Sequence, residues 1–334
     1  MPLDEPEPDP GGPGEVADLR TASGRRIFPG ISSRAWEHPA DRAALTTLRA
    51  VPGFDVATKW VFGLFTERAL RALYLGGAVE VGPEQFPRVY RLYAECLEIL
   101  DAPEPYTLFI TQNPVLNAGA VGWEHPFVVL NSGTVHALDD DQLRYVLAHE
   151  LGHVQSGHVL YKTMLGLLLR AAPLALGTPL TGLALLAVIA ALLEWDRKSE
   201  LSADRAGLLA CQDPDQVRQA LLRMAGGVGE GANLAAFREQ ARRYEEDRGV
   251  LDSVARTLAI LGRQHPFPVQ RLRELDAWIE AGHYDAVMRG EYPLRADDPE
   301  DSPWRAWQEG AGHYASRARE VGRRVSDLFR KKPD

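Results

Sequence analysis

His149-Glu150-Leu151-Gly152-His153 sets two imidazoles four residues apart with a carboxylate between them. On a helix the two rings lie about 40° apart, close enough for both to reach one zinc ion. Glu150 lies about 100° from His149 and about 60° from His153, so it flanks such a metal instead of competing for it. The chemistry this supports is hydrolysis. Zinc brings the pKa of a water to about 7, and a carboxylate beside it takes the proton and later hands it to the leaving amine.

A catalytic zinc needs a third protein ligand and an open position. The metzincin spacing would place Gly seven and His ten residues beyond His149, but those positions are Ser156 and Val159. His158 misses the pattern by one residue and falls about 180° around an ideal helix from His149. Glu200 fits the gluzincin arrangement, in which a later helix supplies a glutamate. In Ser199-Glu200-Leu201-Ser202-Ala203-Asp204, the aspartate falls one turn on and shares the glutamate's face. A carboxylate there can accept the free N–H of a zinc histidine and fix its tautomer.

Other elements must carry these residues together. Mixed three-and-four spacing of apolar residues predicts helix from about 39 to 75, and a further helix runs from Pro87 to Leu100. The period then changes: Tyr106–Thr111 and Phe127–Leu130 read as strands. Between them Asn117-Ala118-Gly119-Ala120-Val121-Gly122 is small and extended, suited to a bulge or to an edge that receives a peptide. Asp139 and Gln142 form a capping box for an amphipathic helix expected to run through HELGH to about Tyr161. Helices are predicted again at Asp196–Cys211, Pro214–Ala225 and Leu272–Ala281. The fold class is α+β, predominantly helical with one small mixed sheet.

The 334 residues divide into an acidic, proline-rich N-terminus at 1–24, a main domain at 25–290 and a polar linker with a basic amphipathic tail at 291–334. The first stretch is expected to be disordered. A formal charge of −9 argues against a nucleic-acid partner, which would need clustered Lys and Arg. Cys96 and Cys211 make no disulfide framework and read as reduced core residues. No secretory signal is visible, so the expected location is the cytoplasm, including the inner face of the cell membrane.

Residues 164–195 form an apolar stretch broken by Pro173, Gly177, Pro179 and Gly182. A single membrane crossing would leave His153 and Glu200 on opposite sides of the bilayer. Two crossings need about 40 apolar residues, more than the stretch holds. The expectation is a helical hairpin that is buried, dips into one leaflet or pairs with another subunit. The tail, with Val321, Val325, Leu328 and Phe329 beside Arg323, Arg324, Arg330, Lys331 and Lys332, adds a possible peripheral contact with anionic lipid.

HELGH followed by Glu200-x-x-Ala203-Asp204 resembles the zinc peptidase family of the heat-shock protease HtpX and the type I CAAX prenyl protease. Asn117-Ala118-Gly119-Ala120 is similar to that family's Asn-Ala-Phe-Ala edge strand, Leu130-Asn-Ser-Gly133 to the strand end before the zinc helix, and His265-Pro266 with Arg271 to its His-Pro-Pro…Arg segment. The similarity spans roughly 30–280 and implies a zincin-like fold that hydrolyses peptide bonds. It implies one Zn2+ per subunit on His149, His153 and Glu200, with Glu150 as base and Asp204 behind the ligands. Asn117–Ala120 would align the substrate backbone, His265 would stabilise the oxyanion, and Arg271 would help close the site. Gly119 departs from the family's aromatic. HtpX-like relatives also carry a membrane hairpin where 164–195 stands. The competing reading is a non-catalytic, membrane-associated scaffold or chaperone-like protein with structural zinc, which would need a fourth protein ligand.

Overall fold

The computed structural model describes residues 18–64, 66–175, 179–227, 231–246 and 266–299. A four-stranded mixed sheet is built from β1 (Val79–Glu80), β2 (Thr107–Thr111), β3 (Ala118–Val121) and β4 (Phe127–Asn131), in the order β1-β2-β4-β3. β2 and β4 run parallel, and β3 lies antiparallel to β4 at the edge. Alternation decides the two faces. Leu108, Ile110, Val128 and Leu130 enter the main core, while Phe109, Phe127 and Val129 form a separate cluster on the other side. Tyr74 of α3 (Glu67–Gly77) packs against that cluster. The main core is completed by α4 (Pro87–Ile99), which opens on a proline at its first position.

Behind the sheet lies α6 (Asp140–Gln155), after the short α5 (Ser132–Ala137). The Asp139 side chain accepts from the Gln142 N–H, as expected of the cap. Every residue of α6 from Gln142 to Gln155 is buried, so the helix is central and not amphipathic as its sequence suggests. Its polar residues are interior because polar groups of neighbouring helices meet them there. α6 also ends earlier than Tyr161. Ser156 caps it, Gly157 takes a left-handed φ of 71°, and α7 (Val159–Ala175) starts in a new direction.

The largest difference concerns the helix expected to begin at Asp196. It begins at Pro179 and continues without interruption to Cys211, giving the 33-residue α8. Neither Gly nor Pro occurs between residues 183 and 206, so the switch from apolar to charged sequence changes the surroundings and not the backbone. Its first half and α7 pack against α1 (Pro39–Arg49) and α2 (Phe54–Leu64). Leu45, Leu48, Val61, Phe62, Met164, Leu168, Val188 and Leu192 are buried in one cluster there. One face of the described part of the apolar hairpin is thus covered by its own chain, while Leu186 on the other face is 51% exposed. Among the described residues, no helix is long and apolar enough to cross a membrane. The side chains of 171–183 lie outside the described residues.

α9 (Pro214–Met224), α10 (Leu234–Glu246), α11 (Pro268–Glu280) and α12 (His283–Arg289) complete the helical layer. Cys96 and Cys211 are buried and free. Most of the expected N-terminal disorder and the whole basic helix of the tail fall outside the described residues. Residues 20–26 close a turn through an Arg20–Arg26 bridge. Leu294 pairs with Ile31, and the Ser32 hydroxyl donates to buried Asp298 at 2.5 Å.

Candidate metal centre

The contact between α6 and α8 brings the two parts of the sequence pattern together. It is close because each helix offers a glycine to the other. A Cβ on Gly152 would stand 2.6 Å from Ala206 Cβ, and one on Gly207 would stand 2.6 Å from the Tyr145 ring. At that separation His149, His153 and Glu200 all meet, with one ligand atom from each lying within 4.8 Å of the others. Glu200 Oε2 is 3.4 Å from His149 Nε2, and Oε1 is 3.2 Å from His153 Nε2. All three are buried, and two imidazole nitrogens with one carboxylate oxygen are a donor set that fits a divalent metal.

The other ring nitrogen of each histidine is also engaged. His149 Nδ1 is 2.9 Å from Asp204 Oδ1. Asp204 is held in turn by Arg271, whose Nε donates to Oδ2 at 2.8 Å and whose Nη2 donates to Oδ1, and by the Tyr145 hydroxyl at 2.7 Å. Arg271 Nη1 also lies 3.7 Å from Glu200 Oε2. His153 Nδ1 is 2.9 Å from His158 Nδ1, and His158 Nε2 is 3.0 Å from Asp41 Oδ2. Lys162, one turn along α7 from His158, places Nζ 2.7 Å from both Glu200 Oε1 and Asp196 Oδ1.

Burial and charge oppose each other at His149, Asp204 and Lys162 and act together at His153. Burial favours neutral His149, yet hydrogen bonds to Asp204 and Glu200 outweigh it and raise its pKa to about 9. Burial and the nearby Lys162 ammonium hold His153 well below the usual imidazole range. Burial would raise Asp204, but the Arg271 guanidinium keeps it far below the ordinary carboxylate value. Burial likewise opposes ionisation of Lys162, while Asp196 and Glu200 keep it charged. A metal at this site competes with a proton on His149, and His153 is already in the neutral form that binds metal.

A narrow cleft joins this cluster to the sheet edge. Leu116, Asn117 and Ala118 line it together with His149, Glu150 and Arg271. The strand behind them is fixed at both ends. The Asn117 N–H donates to Thr134 Oγ1 at 2.8 Å, and Thr134 Oγ1 donates to the Asn117 carbonyl at 2.6 Å. At the other end the Gly122 N–H donates to Thr163 Oγ1 at 3.0 Å, and Glu67 accepts the backbone N–H groups of Trp123, Glu124 and His125. A Cβ on Gly119 would meet no described atom within 4 Å, so the missing aromatic leaves open space.

His149, Glu150, His153, Glu200, Asp204 and Arg271 therefore share one site with Asn117 and Ala118. Gly119 and Ala120 continue the same edge strand. His265 lies outside the described residues, and the following Pro266 is buried. His38 caps α1 through Nδ1, which accepts the Ala40 N–H at 3.0 Å. Sequence reasoning missed Tyr145, Asp41 and Lys162, and considered His158 only as a ligand. Lys162 left a readable trace, as the only charge between His158 and Arg170 in an apolar helix.

Residues 83–279 match the model of Peptidase family M48. Among similar curated proteins, the plastoglobule-localized metallopeptidase 48 of the Arabidopsis thaliana chloroplast is 33% identical over 270 residues, covering 79% of this chain and 77% of the relative. A protease HtpX homolog of Burkholderia mallei is 31% identical over 179 residues, 47% of this chain and 62% of its own. Another, of Sulfurihydrogenibium sp., is 33% identical over 102 residues, 30% of this chain and 33% of its own. No solved structure matches the chain. Family model and relatives agree with a buried His, His, Glu cluster: the chain belongs to peptidase family M48 and is a metalloprotease that acts on proteins.

Proposed function

We propose that the chain is a zincin-like, zinc-dependent endopeptidase, with α6 as its active-site helix and one zinc ion held by His149, His153 and Glu200. The observation that carries this reading is the meeting of three buried ligand atoms from α6 and α8 beside Glu150, in a cleft that opens onto the sheet edge. Bound there, zinc would polarise the scissile carbonyl and acidify water. Glu150 takes the proton from the attacking water and delivers it to the leaving amine. Asp204 accepts the His149 Nδ1–H and holds that ring in its ligating tautomer. Arg271 balances the charge of Asp204 and Glu200 from behind, closing that side of the site.

The substrate backbone lies extended along Asn117–Ala120, pairing as an added strand with β3, the edge strand among the described residues. Extended pairing needs a locally unfolded segment, so the substrates are unfolded or membrane-associated proteins. His265 donates to the developing oxyanion from the segment that precedes α11. We further propose action in the cytoplasm or at the inner face of the membrane. Peripheral contact there runs through residues 164–195 and the tail, and vesicle flotation tests it.

The test is Glu150→Gln beside wild type, with zinc content and casein cleavage measured on the same samples. The variant keeps one zinc per chain and loses cleavage. Undiminished cleavage would sink the proposed role of Glu150. The scaffold reading requires a fourth protein ligand, and among the described residues the cluster has three.

A further inference from the structure

Five residues on an unbroken helix separate two side chains by about 140°, so His158 ought to face away from His153. It does not, because the left-handed Gly157 breaks the helix and the His158 N–H donates to the His153 carbonyl at 3.0 Å. The two rings then meet through their Nδ1 atoms at 2.9 Å. Two nitrogens at that distance need one proton between them. His153 Nε2 faces Glu200 within the metal cluster, and a ligating nitrogen carries no proton. The His153 proton therefore sits on Nδ1 and points to His158 Nδ1. His158 in turn carries its proton on Nε2 and donates it to Asp41 Oδ2 at 3.0 Å. Both His158 nitrogens are then engaged, which removes His158 from the ligand set.

Asp41 is oriented as an end stop. Its Oδ2 accepts the Ser202 hydroxyl at 2.6 Å, and its Oδ1 accepts Trp195 Nε1–H at 3.1 Å. The chain of groups is buried from end to end, His153 at 0%, His158 at 3% and Asp41 at 2% exposure. Asp41 stands on α1, outside residues 83–279, where the family model matches.

We propose that His158 and Asp41 are positioning residues for the metal, a relay that fixes the ring and tautomer of His153 much as Asp204 fixes His149. The inference rests on the proposed zinc site. It assigns His158 a task distinct from packing on Trp195, whose ring lies 5.5 Å away.

The experiment measures zinc dissociation constants by chelator competition for the full chain and its variants, with circular dichroism of each metal-free protein. His158→Leu weakens zinc binding about 10- to 100-fold. Asp41→Asn also weakens it, because whichever way the amide turns its N–H meets a donor. His158→Gln restores most of the affinity, since its amide accepts from His153 and donates to Asp41. The double variant His158→Leu/Asp41→Asn loses no more than the worse single one, as expected of groups in series. Unchanged affinity in His158→Leu, or an equal loss in His158→Gln, overturns the relay. If His158→Leu fails to fold, Asp41→Asn and His158→Gln decide by the same criteria. A wild type that binds no zinc overturns the metal site itself, and the relay with it.

Discussion

His149 and His153 stand one turn apart on the same helix, yet they are held by different devices. His149 leans directly on Asp204, a carboxylate from the facing helix anchored by the charge of Arg271. His153 leans on another imidazole, and the carboxylate behind that one, Asp41, is oriented by the neutral donors Ser202 and Trp195. The direct arm depends on two helices packed through Gly152 and Gly207. The relayed arm depends on a helix break at Gly157 and on a helix more than a hundred residues away in sequence. One arm is electrostatic and compact, the other geometric and distributed.

Substitution costs most in the direct arm. Arg271→Met takes the guanidinium from buried Asp204, which costs about 3–5 kcal/mol of stability when one partner of a buried pair is removed. Urea denaturation of the metal-free protein measures it. A loss no larger than that of an average surface change would show that the guanidinium is not the anchor. A smaller effect is expected in the relayed arm. Gly157→Ala forces a left-handed residue to carry a Cβ, at about 1–2 kcal/mol, and displaces His158. Its zinc affinity falls in the wild-type background and not in a His158→Leu background. An equal fall in both would separate the glycine from the relay.

The two arms were not equally legible. Glu200 and Asp204 could be read because HELGH already demanded a third ligand, and a four-residue spacing keeps both carboxylates on one helical face. Arg271 was placed by resemblance alone. Its partners Asp204 and Tyr145 sit on α8 and α6, and no local spacing in its own helix shows that. The relayed arm could not be read at all, since a helix drawn through to Tyr161 turns His158 to the wrong side. The glycine that corrects the picture is also an ordinary helix residue in other contexts. Strands β2 and β4 and the capped start of α6 followed from β-branched and aromatic composition and from Asp139, both short-range signals. The 33-residue α8 did not, because a change from apolar to charged composition resembles a boundary while the backbone has no reason to stop.

X-ray absorption at the zinc edge of the loaded wild-type protein counts and types the metal's ligands in one measurement. The expected result is two imidazoles with oxygen donors completing the shell. That set comprises His149, His153, the Glu200 carboxylate and an open position for water. A third imidazole or a thiolate in the shell would contradict it. The first would turn His158 from support into ligand, and the second would move the metal elsewhere.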